Sequence, residues 1–186
     1  VGNRYAHFND STSGVASDVN SIFQYAERLG FDLPSRDNNG SQNCINTFDK
    51  SGYSVLEAER VTLLFDHGNI GASYQPGHGH ADTLSIECYI NQDAFIVNSG
   101  ISDYSISTLR LQQRSTISHS TLNIAGKDSS EVWSSFRVGN RAKVIDFEPN
   151  NQKFFVTATH DGYAPQFSGV LHKRTCAIGN NIIQIK

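Results

Sequence analysis

Short apolar runs separated by turn residues recur along this chain from residue 53 to its end. The runs are enriched in Val, Ile and Phe, and clusters of Asn, Asp and Gly lie between them, which is typical of β-strands joined by hairpins. The predicted strands are residues 53–58, 60–66, 82–91, 93–98, 119–125, 141–148, 153–160, 169–178 and 181–185. Many short strands in series favour an antiparallel β-sandwich.

One segment near the N-terminus has the spacing of an amphipathic helix instead. Its apolar positions recur every three or four residues: Val19, Ile22, Phe23, Ala26 and Leu29. Ser17 is the predicted N-cap, and Gly30 follows the last apolar residue as a C-terminal stop does. Residues 34–52 are rich in Asn, Ser, Asp and Gly and predict a long loop. The expected fold class is therefore mainly β, an antiparallel β-sandwich with one short N-terminal helix.

Size and charge narrow the classes of function. A chain of 186 residues fits one domain, and its formal net charge of −3 argues against nucleic acid as a bulk electrostatic partner. No apolar run approaches the roughly 20 residues that a membrane helix needs, so no membrane span is expected. The chain begins with Val and contains no Met, and its last strand would leave an exposed sheet edge. We therefore expect a processed chain or a piece of a longer one, truncated inside its β domain.

Candidate chemistry is concentrated in the run from Gly77 to Asp82. If this run forms one strand with the apolar stretch of residues 84–90, every second side chain shares a face. His78, His80 and Asp82 then lie on the core-facing side. Burying such groups without partners costs roughly 1–3 kcal/mol each, which indicates a site. Two histidines in this spacing suit one metal, or one ligand and one acid–base group, with Asp82, Asn98 or His119 as a third ligand. A pair of structural histidines is the alternative.

Two further groups of residues suggest a ligand. Arg110 and Arg114 lie four positions apart after Tyr104, and such a pair could clamp a carboxylate or a sulfate; an ordinary solvated pair is the alternative. Trp133 and Phe136 could stack on a sugar ring, or belong to the core.

Several of these segments together resemble the heparinase II/III-like family. The segments that carry the resemblance cover about residues 60–140 in the family's order: 66–85, 97–100, 113–116, 119–121 and 129–133. Residues 1–40 resemble the lead-in from that family's helical domain, and residues 41–186 resemble its β-sandwich. The Asn-Ser-Gly sequence that begins at Asn98 also resembles a branch linked to bacterial surface-polysaccharide loci.

The resemblance implies a polysaccharide lyase acting on uronate-containing chains such as glycosaminoglycans and alginate. In that family an α/α toroid precedes the sandwich, the active site lies between the two, and cleavage is a β-elimination. The family's catalytic Tyr and its partner lie in the toroid, so this chain alone is expected to be inactive. An acidic polysaccharide is the expected substrate, and a bacterial periplasmic or secreted location is expected.

The resemblance also assigns roles to single residues. His78 matches the catalytic histidine that faces the substrate. Apart from the resemblance, the spacing of Arg110 and Arg114 after Tyr104 leads us to expect that these three residues bind the anionic chain. His80 and His119 match two ligands of a metal, usually zinc. At the third ligand position the family has Asp and this chain has Asn98, and an amide is a weaker, uncharged ligand.

Two other classes of function stay open at this point. One is a carbohydrate-binding sandwich without catalysis, in which Trp133 would matter more than His78. The other is a metal-stabilised structural domain that assembles a larger protein.

Overall fold

The computed structural model describes residues 5–12, 14, 17–32, 43–179 and 182–186. Within these ranges the α-helices are α1 (Val19–Arg28) and α2 (Thr108–Arg114), and short 3₁₀ helices span Pro76–His78 and Thr116–Ser118. The strands are β1 (Cys44–Phe48), β2 (Tyr53–Ala58), β3 (Val61–Asp66), β4 (Ile86–Ile90), β5 (Asp93–Ile96), β6 (Val132–Trp133), β7 (Arg137–Val138), β8 (Val144–Asn150), β9 (Phe155–His160), β10 (His172–Gly179) and β11 (Ile182–Ile185).

Two antiparallel sheets form the body of the fold. The first has the strand order β1-β2-β3-β4-β5 and the second the order β11-β10-β9-β8, while β6 and β7 form a separate hairpin. Each strand pairs with its neighbour in sequence, because short turns can join antiparallel strands directly. This is the sandwich that the strand pattern predicts.

The core lies between the two sheets. Leu56, Leu63 and Phe65 of the first sheet pack in one buried cluster with Val156 and Cys176 of the second. Along β2 the buried side chains alternate with more exposed ones, whereas on β9 every residue from Val156 to His160 is buried. Cys88 is also buried, and its thiol is free.

Helix α1 confirms the predicted N-terminal helix, with a different cap. The side chain of Asp18, not of Ser17, accepts the N–H of Ser21 at 3.0 Å and caps the helix. Gly30 follows the last turn with φ +79°, a conformation that glycine adopts at little cost. None of the residues of α1 is buried. None of the helices in the described ranges is long and apolar enough to cross a membrane.

The strand predictions are confirmed except at residues 119–125, although several ends differ. Residues 119–125 form no strand because their polar groups bind loops instead: the N–H of Ser120 donates to Asn98 Oδ1, and Thr121 Oγ1 donates to the carbonyl of Thr83. The predicted loop over residues 34–52 is wrong where β1 forms, and its part before residue 43 lies outside the described residues.

Helix α2 is an element that the sequence pattern did not predict. It has seven residues, and its buried side chains are Arg110 and Arg114, four positions apart. A search for apolar residues at helical spacing cannot find a helix whose inward face carries guanidinium groups. Ser107 caps the helix by accepting the N–H of Arg110 at 3.1 Å.

A buried histidine pair joins β9 to β10 and gives a pH-dependent prediction. The N–H of Gly162 donates to His160 Nδ1 at 3.0 Å, so the Nε2–H of His160 donates to His172 Nδ1 at 2.9 Å. Burial lowers the pKa of both rings from 6.5 to about 4. The folded protein therefore keeps the pair neutral at pH values where the unfolded chain binds protons.

We expect the free energy of unfolding to decrease as the pH falls from 6.5 toward 4, by a few kcal/mol from this pair. Unfolding takes up protons in that window, so acid favours the unfolded chain. Chemical denaturation of the protein and of His172→Gln at several pH values measures this, because the other titrating groups act in both. Parallel pH profiles for the two proteins would contradict the prediction.

Candidate functional site

The run that carries the candidate histidines is a loop, not the start of a strand. Residues Pro76–His78 form a 3₁₀ turn, and β4 begins only at Ile86. His78 and His80 consequently do not share a strand face: 58% of the His78 side chain is exposed, and none of the His80 side chain is. The strand geometry expected for this pair is wrong, and it is replaced by one surface ring and one buried ring.

The backbone around Gly79 is closely packed against a neighbouring loop. A Cβ atom at Gly79 would lie 2.9 Å from Ile70 Cγ1 and 3.2 Å from the backbone nitrogen of Gly71. Residues 82–85 then turn sharply, with the N–H of Ser85 donating to the carbonyl of Asp82 at 2.8 Å. Leu84, in that turn, has φ +62°.

The two histidine rings meet at one carboxylate, that of Asp10. His78 Nδ1 lies 2.7 Å from Asp10 Oδ2, and His80 Nε2 lies 2.9 Å from Asp10 Oδ1. Arg110 donates to both oxygens, at 3.2 Å from Nη1 and 2.8 Å from Nη2. Burial raises the pKa of Asp10, but the hydrogen bonds from His80, Arg110 and His78 outweigh it and hold that pKa below its ordinary value.

A second contact extends from His80 into the interior. Because the ionised carboxylate of Asp10 only accepts hydrogen bonds, Nε2 of His80 carries the hydrogen. Nδ1 of His80 lies 3.2 Å from His119 Nε2 and can accept its hydrogen. Burial lowers the pKa of His119 to about 3, so this ring is neutral at physiological pH.

Asp82 completes a group of three possible metal ligands with His80 and His119. Ligand atoms of the three buried residues all lie within 4.8 Å of one another. Asp82 is buried and accepts the N–H of Asn9 at 3.3 Å, and burial raises the pKa of Asp82 to about 6. A buried carboxylate beside two imidazoles is a donor set that suits a divalent transition metal such as zinc.

Asn98, the expected third ligand, has a different set of contacts. Its Oδ1 accepts the N–H of Ser120 at 2.9 Å, and its Nδ2 lies 3.5 Å from the carbonyl oxygen of Ile86. The side chain thus ties the end of the first sheet to the loop that carries His119. Its role as a ligand stays a prediction.

Arg110 and Arg114 are fully buried, which rules out the alternative of an ordinary solvated pair. Beyond Asp10, Arg110 donates to the carbonyl of Ser135 at 2.7 Å. Arg114 donates to the carbonyl of Gly79 at 2.9 and 3.1 Å and to that of Ser134 at 3.2 Å. These carbonyls lie in loops and have no partner from a β-ladder, so they need side-chain donors. Both arginines therefore stabilise the loops that carry the site.

Aromatic rings lie on the surface around His78. Tyr104 has its ring centroid 6.2 Å from that of His78, and Phe136 lies 6.4 Å from Tyr104. The guanidinium of Arg110 lies beneath both rings, 4.7 Å from the Tyr104 centroid and 4.1 Å from that of Phe136. Nearby in sequence, Arg137 lies 5.2 Å over the exposed ring of Trp133. Binding of substrate by Tyr104, Arg110 and Arg114 stays a prediction.

Asp10 is the site residue that sequence reasoning missed. It lies in a polar N-terminal turn, 68 residues before His78 and 100 before Arg110, and no local spacing connects the three. The available signal was a lone acidic residue between Asn9 and Ser11, which also fits an ordinary turn.

Fold and site together define a β-sandwich domain with a buried histidine–carboxylate cluster beneath one surface imidazole. The family model described as heparinase II/III-like, C-terminal, matches residues 41–186. The chain belongs to this family, as its motifs led us to expect. Among curated proteins, none showed significant sequence similarity to the chain.

Solved structures of similar fold include heparinase III and a heparan sulfate lyase. A crystal structure of heparinase III superimposes with a TM-score of 0.60 at 20% identity, over 94% of this chain and 28% of that one. Heparan sulfate lyase HepC from Pedobacter heparinus gives a TM-score of 0.58 at 16% identity, over 95% of this chain and 28% of that one. This chain therefore spans less than a third of the length of either structure.

Proposed function

We propose that this chain is the β-sandwich part of a lyase that cleaves uronate-containing polysaccharide by β-elimination. The observation that carries the proposal is the surface imidazole of His78, hydrogen-bonded through Nδ1 to the buried carboxylate of Asp10 and flanked by the aromatic ring of Tyr104. Membership of the heparinase II/III-like family supports the same reaction class.

In this reaction a base removes the proton from C5 of the uronate. The electron pair forms the C4–C5 double bond, the bond from C4 to the glycosidic oxygen breaks, and an acid protonates that oxygen. His78 presents Nε2 on the side opposite Asp10, where it can take a proton, or in its protonated form donate to the uronate carboxylate and neutralise it. The second acid–base group comes from outside this chain in our proposal.

The missing group motivates the proposed partner, an α/α toroid in the same full-length protein. This chain covers 28% of the length of the heparinase III structure, which leaves ample room there for a further domain. The exposed rings of Tyr104 and Phe136 and the exposed cation of Arg137 fit an anionic sugar that lies between two domains. Since acidic polysaccharides of this kind lie outside the cytoplasm, we also propose a bacterial periplasmic or secreted location.

Ultraviolet absorbance of unsaturated uronate ends tests the proposal. The full-length protein is incubated with heparan sulfate, alginate and a neutral glucan, and absorbance is followed with time. We expect an increase with at least one acidic chain and none with the glucan, which has no uronate carboxylate to neutralise. Binding of an acidic chain without any unsaturated product would instead support the carbohydrate-binding module.

We also propose that His80, His119 and Asp82 hold a divalent metal, with zinc as the first candidate. The support is their donor chemistry and their mutual distances within 4.8 Å. A bound cation would offset the buried charge of Asp82 and order the loop beneath His78. No step of the elimination is assigned to it.

We expect a chelator to lower the melting temperature of the purified protein, because a bound metal stabilises only the folded state. Elemental analysis should find about one metal per chain, and Asp82→Asn should reduce that content. Asn98→Ala serves as the matched variant for the alternative third ligand. A metal content that Asn98→Ala reduces and Asp82→Asn does not would overturn the assignment of Asp82.

A further inference from the structure

The N-terminal segment Phe8–Ser11 enters the site although it precedes the residues that the family model matches. Phe8 is buried, and the side chain of Asn9 accepts the N–H of His80 at 3.1 Å and donates to Tyr53 Oη at 3.1 Å. The carbonyl of Ser11 accepts the N–H of Ile101 at 3.3 Å. The segment is therefore built into the sandwich on both sides of Asp10.

A buried anchor fixes the segment from its other end. Glu87 of β4 is fully buried and accepts the backbone N–H of His7 at 2.7 Å and that of Asn98 at 3.2 Å. Its other oxygen accepts the hydroxyl of Tyr89 at 2.7 Å. One carboxylate thus joins the N-terminal segment to β4 and to the segment that follows β5, which leaves Asp10 little freedom to move.

From this placement we infer that Asp10 is a positioning residue of the site: it fixes the ring of His78 so that Nε2 faces the substrate. The inference rests on the proposed function, and it adds a residue from outside the matched domain. The carboxylate is paired with both Nη atoms of Arg110, so it accepts and does not donate. Nδ1 of His78 must then carry its hydrogen toward Asp10, and the neutral ring has its lone pair on Nε2.

The same carboxylate orients the second ring. Its hydrogen bond to His80 Nε2 turns His80 Nδ1 toward His119, which is how a carboxylate commonly orients a metal-bound histidine. One side chain therefore sets the direction of both histidines, one outward and one inward. A substitution at Asp10 is expected to disturb both at once.

Asp10→Asn in the full-length protein is the first test. The amide keeps the size of the side chain but cannot accept at both oxygens, so His78 loses its fixed orientation. We expect kcat to fall by about 10- to 100-fold with a much smaller change in KM. Asp10→Ala should show the same defect, and added formate should restore part of kcat by supplying a carboxylate beside Arg110. Wild-type kcat in Asp10→Asn would overturn the inference, as would failure of formate to rescue Asp10→Ala.

Substitution of a glycine that contacts the N-terminal segment should displace Asp10 without changing its side chain, and a second glycine serves as the control. A Cβ at Gly100 would lie 2.6 Å from the carbonyl oxygen of Ser11, whereas a Cβ at Gly126 has nothing within 4 Å. Both glycines have positive φ, +59° and +72°, so alanine strains the backbone at either position. Gly100→Ala should lower kcat and Gly126→Ala should not; equal effects of the two would count against the inference.

A spectroscopic measurement separates failure of the inference from failure of the proposed function. In alkaline buffer, ¹⁵N spectra of histidine-labelled protein report which ring nitrogen carries hydrogen, and His78→Gln assigns the signals of His78. We expect hydrogen on Nδ1 in the wild type and a mixture of the two forms in Asp10→Asn. Hydrogen on Nε2 in the wild type would overturn the inference even in an active lyase. An inactive wild type with hydrogen on Nδ1 would overturn the proposed function and leave the positioning by Asp10 supported.

Discussion

Replacing His78 by glutamine should lower kcat/KM for polysaccharide cleavage by about 100-fold or more. The exposed ring of His78 is hydrogen-bonded through Nδ1 to Asp10. In the proposed reaction, its Nε2 contacts the uronate. Glutamine has similar length but cannot exchange a proton. The initial rate of ultraviolet absorbance, measured with the full-length protein across substrate concentrations, gives both kcat and KM.

The loss should come without unfolding. Because 58% of the His78 side chain is exposed, we expect the free energy of unfolding to change by about 1 kcal/mol or less. Lys173→Gln, on the exposed side of β10, is the matched control and should retain full activity. Activity in His78→Gln within a few-fold of wild type would refute the role assigned to this ring.

The largest loss of stability is expected from Arg114→Met. The guanidinium is fully buried and donates to the carbonyl oxygens of Gly79 and Ser134, which would lose their partner. A buried acceptor left unpaired costs about 1–3 kcal/mol, so the variant should lose about 3 kcal/mol or more. Denaturant unfolding followed by circular dichroism measures this difference.

This experiment also separates two roles for the arginine. If Arg114 instead contacts the anionic substrate, Arg114→Met should fold normally and raise KM. Arg137→Met is the comparison, since Arg137 is exposed and stacks on Trp133. We expect it to change the free energy of unfolding by about 0.5 kcal/mol or less. Equal stability of the two variants would contradict the structural role of Arg114.

The sequence predicted the sheets well because strand formation depends on a local pattern of apolar and polar residues. Along β2 and β3, alternate side chains face the core, and the same alternation is visible in the sequence. The N-terminal helix was found for the same reason, through its apolar spacing. Its cap was misplaced by one residue, because Ser17 and Asp18 are both good N-caps and only the side-chain contact to Ser21 separates them.

The site was predicted less well because long-range contacts determine it. The family motifs named His78, His80 and His119, and the structure brings these three histidines together. The directions of His78 and His80 depend on Asp10, which no spacing connects to them. The inward guanidinium of Arg114 likewise depends on loop carbonyls far along the chain, whereas its sequence context left only an anion clamp and a solvated pair as interpretations.

The position of Asp10 also bears on how domains of this family can be exchanged. The matched domain begins at residue 41, so a recombination or design that joins chains there would transfer His78 and His80 without their shared carboxylate. A recipient protein would have to supply an acidic residue of its own at the same place. A junction placed before His7 keeps the carboxylate together with the rings that it orients. The segment needed for this site is therefore longer than the segment that the family model matches.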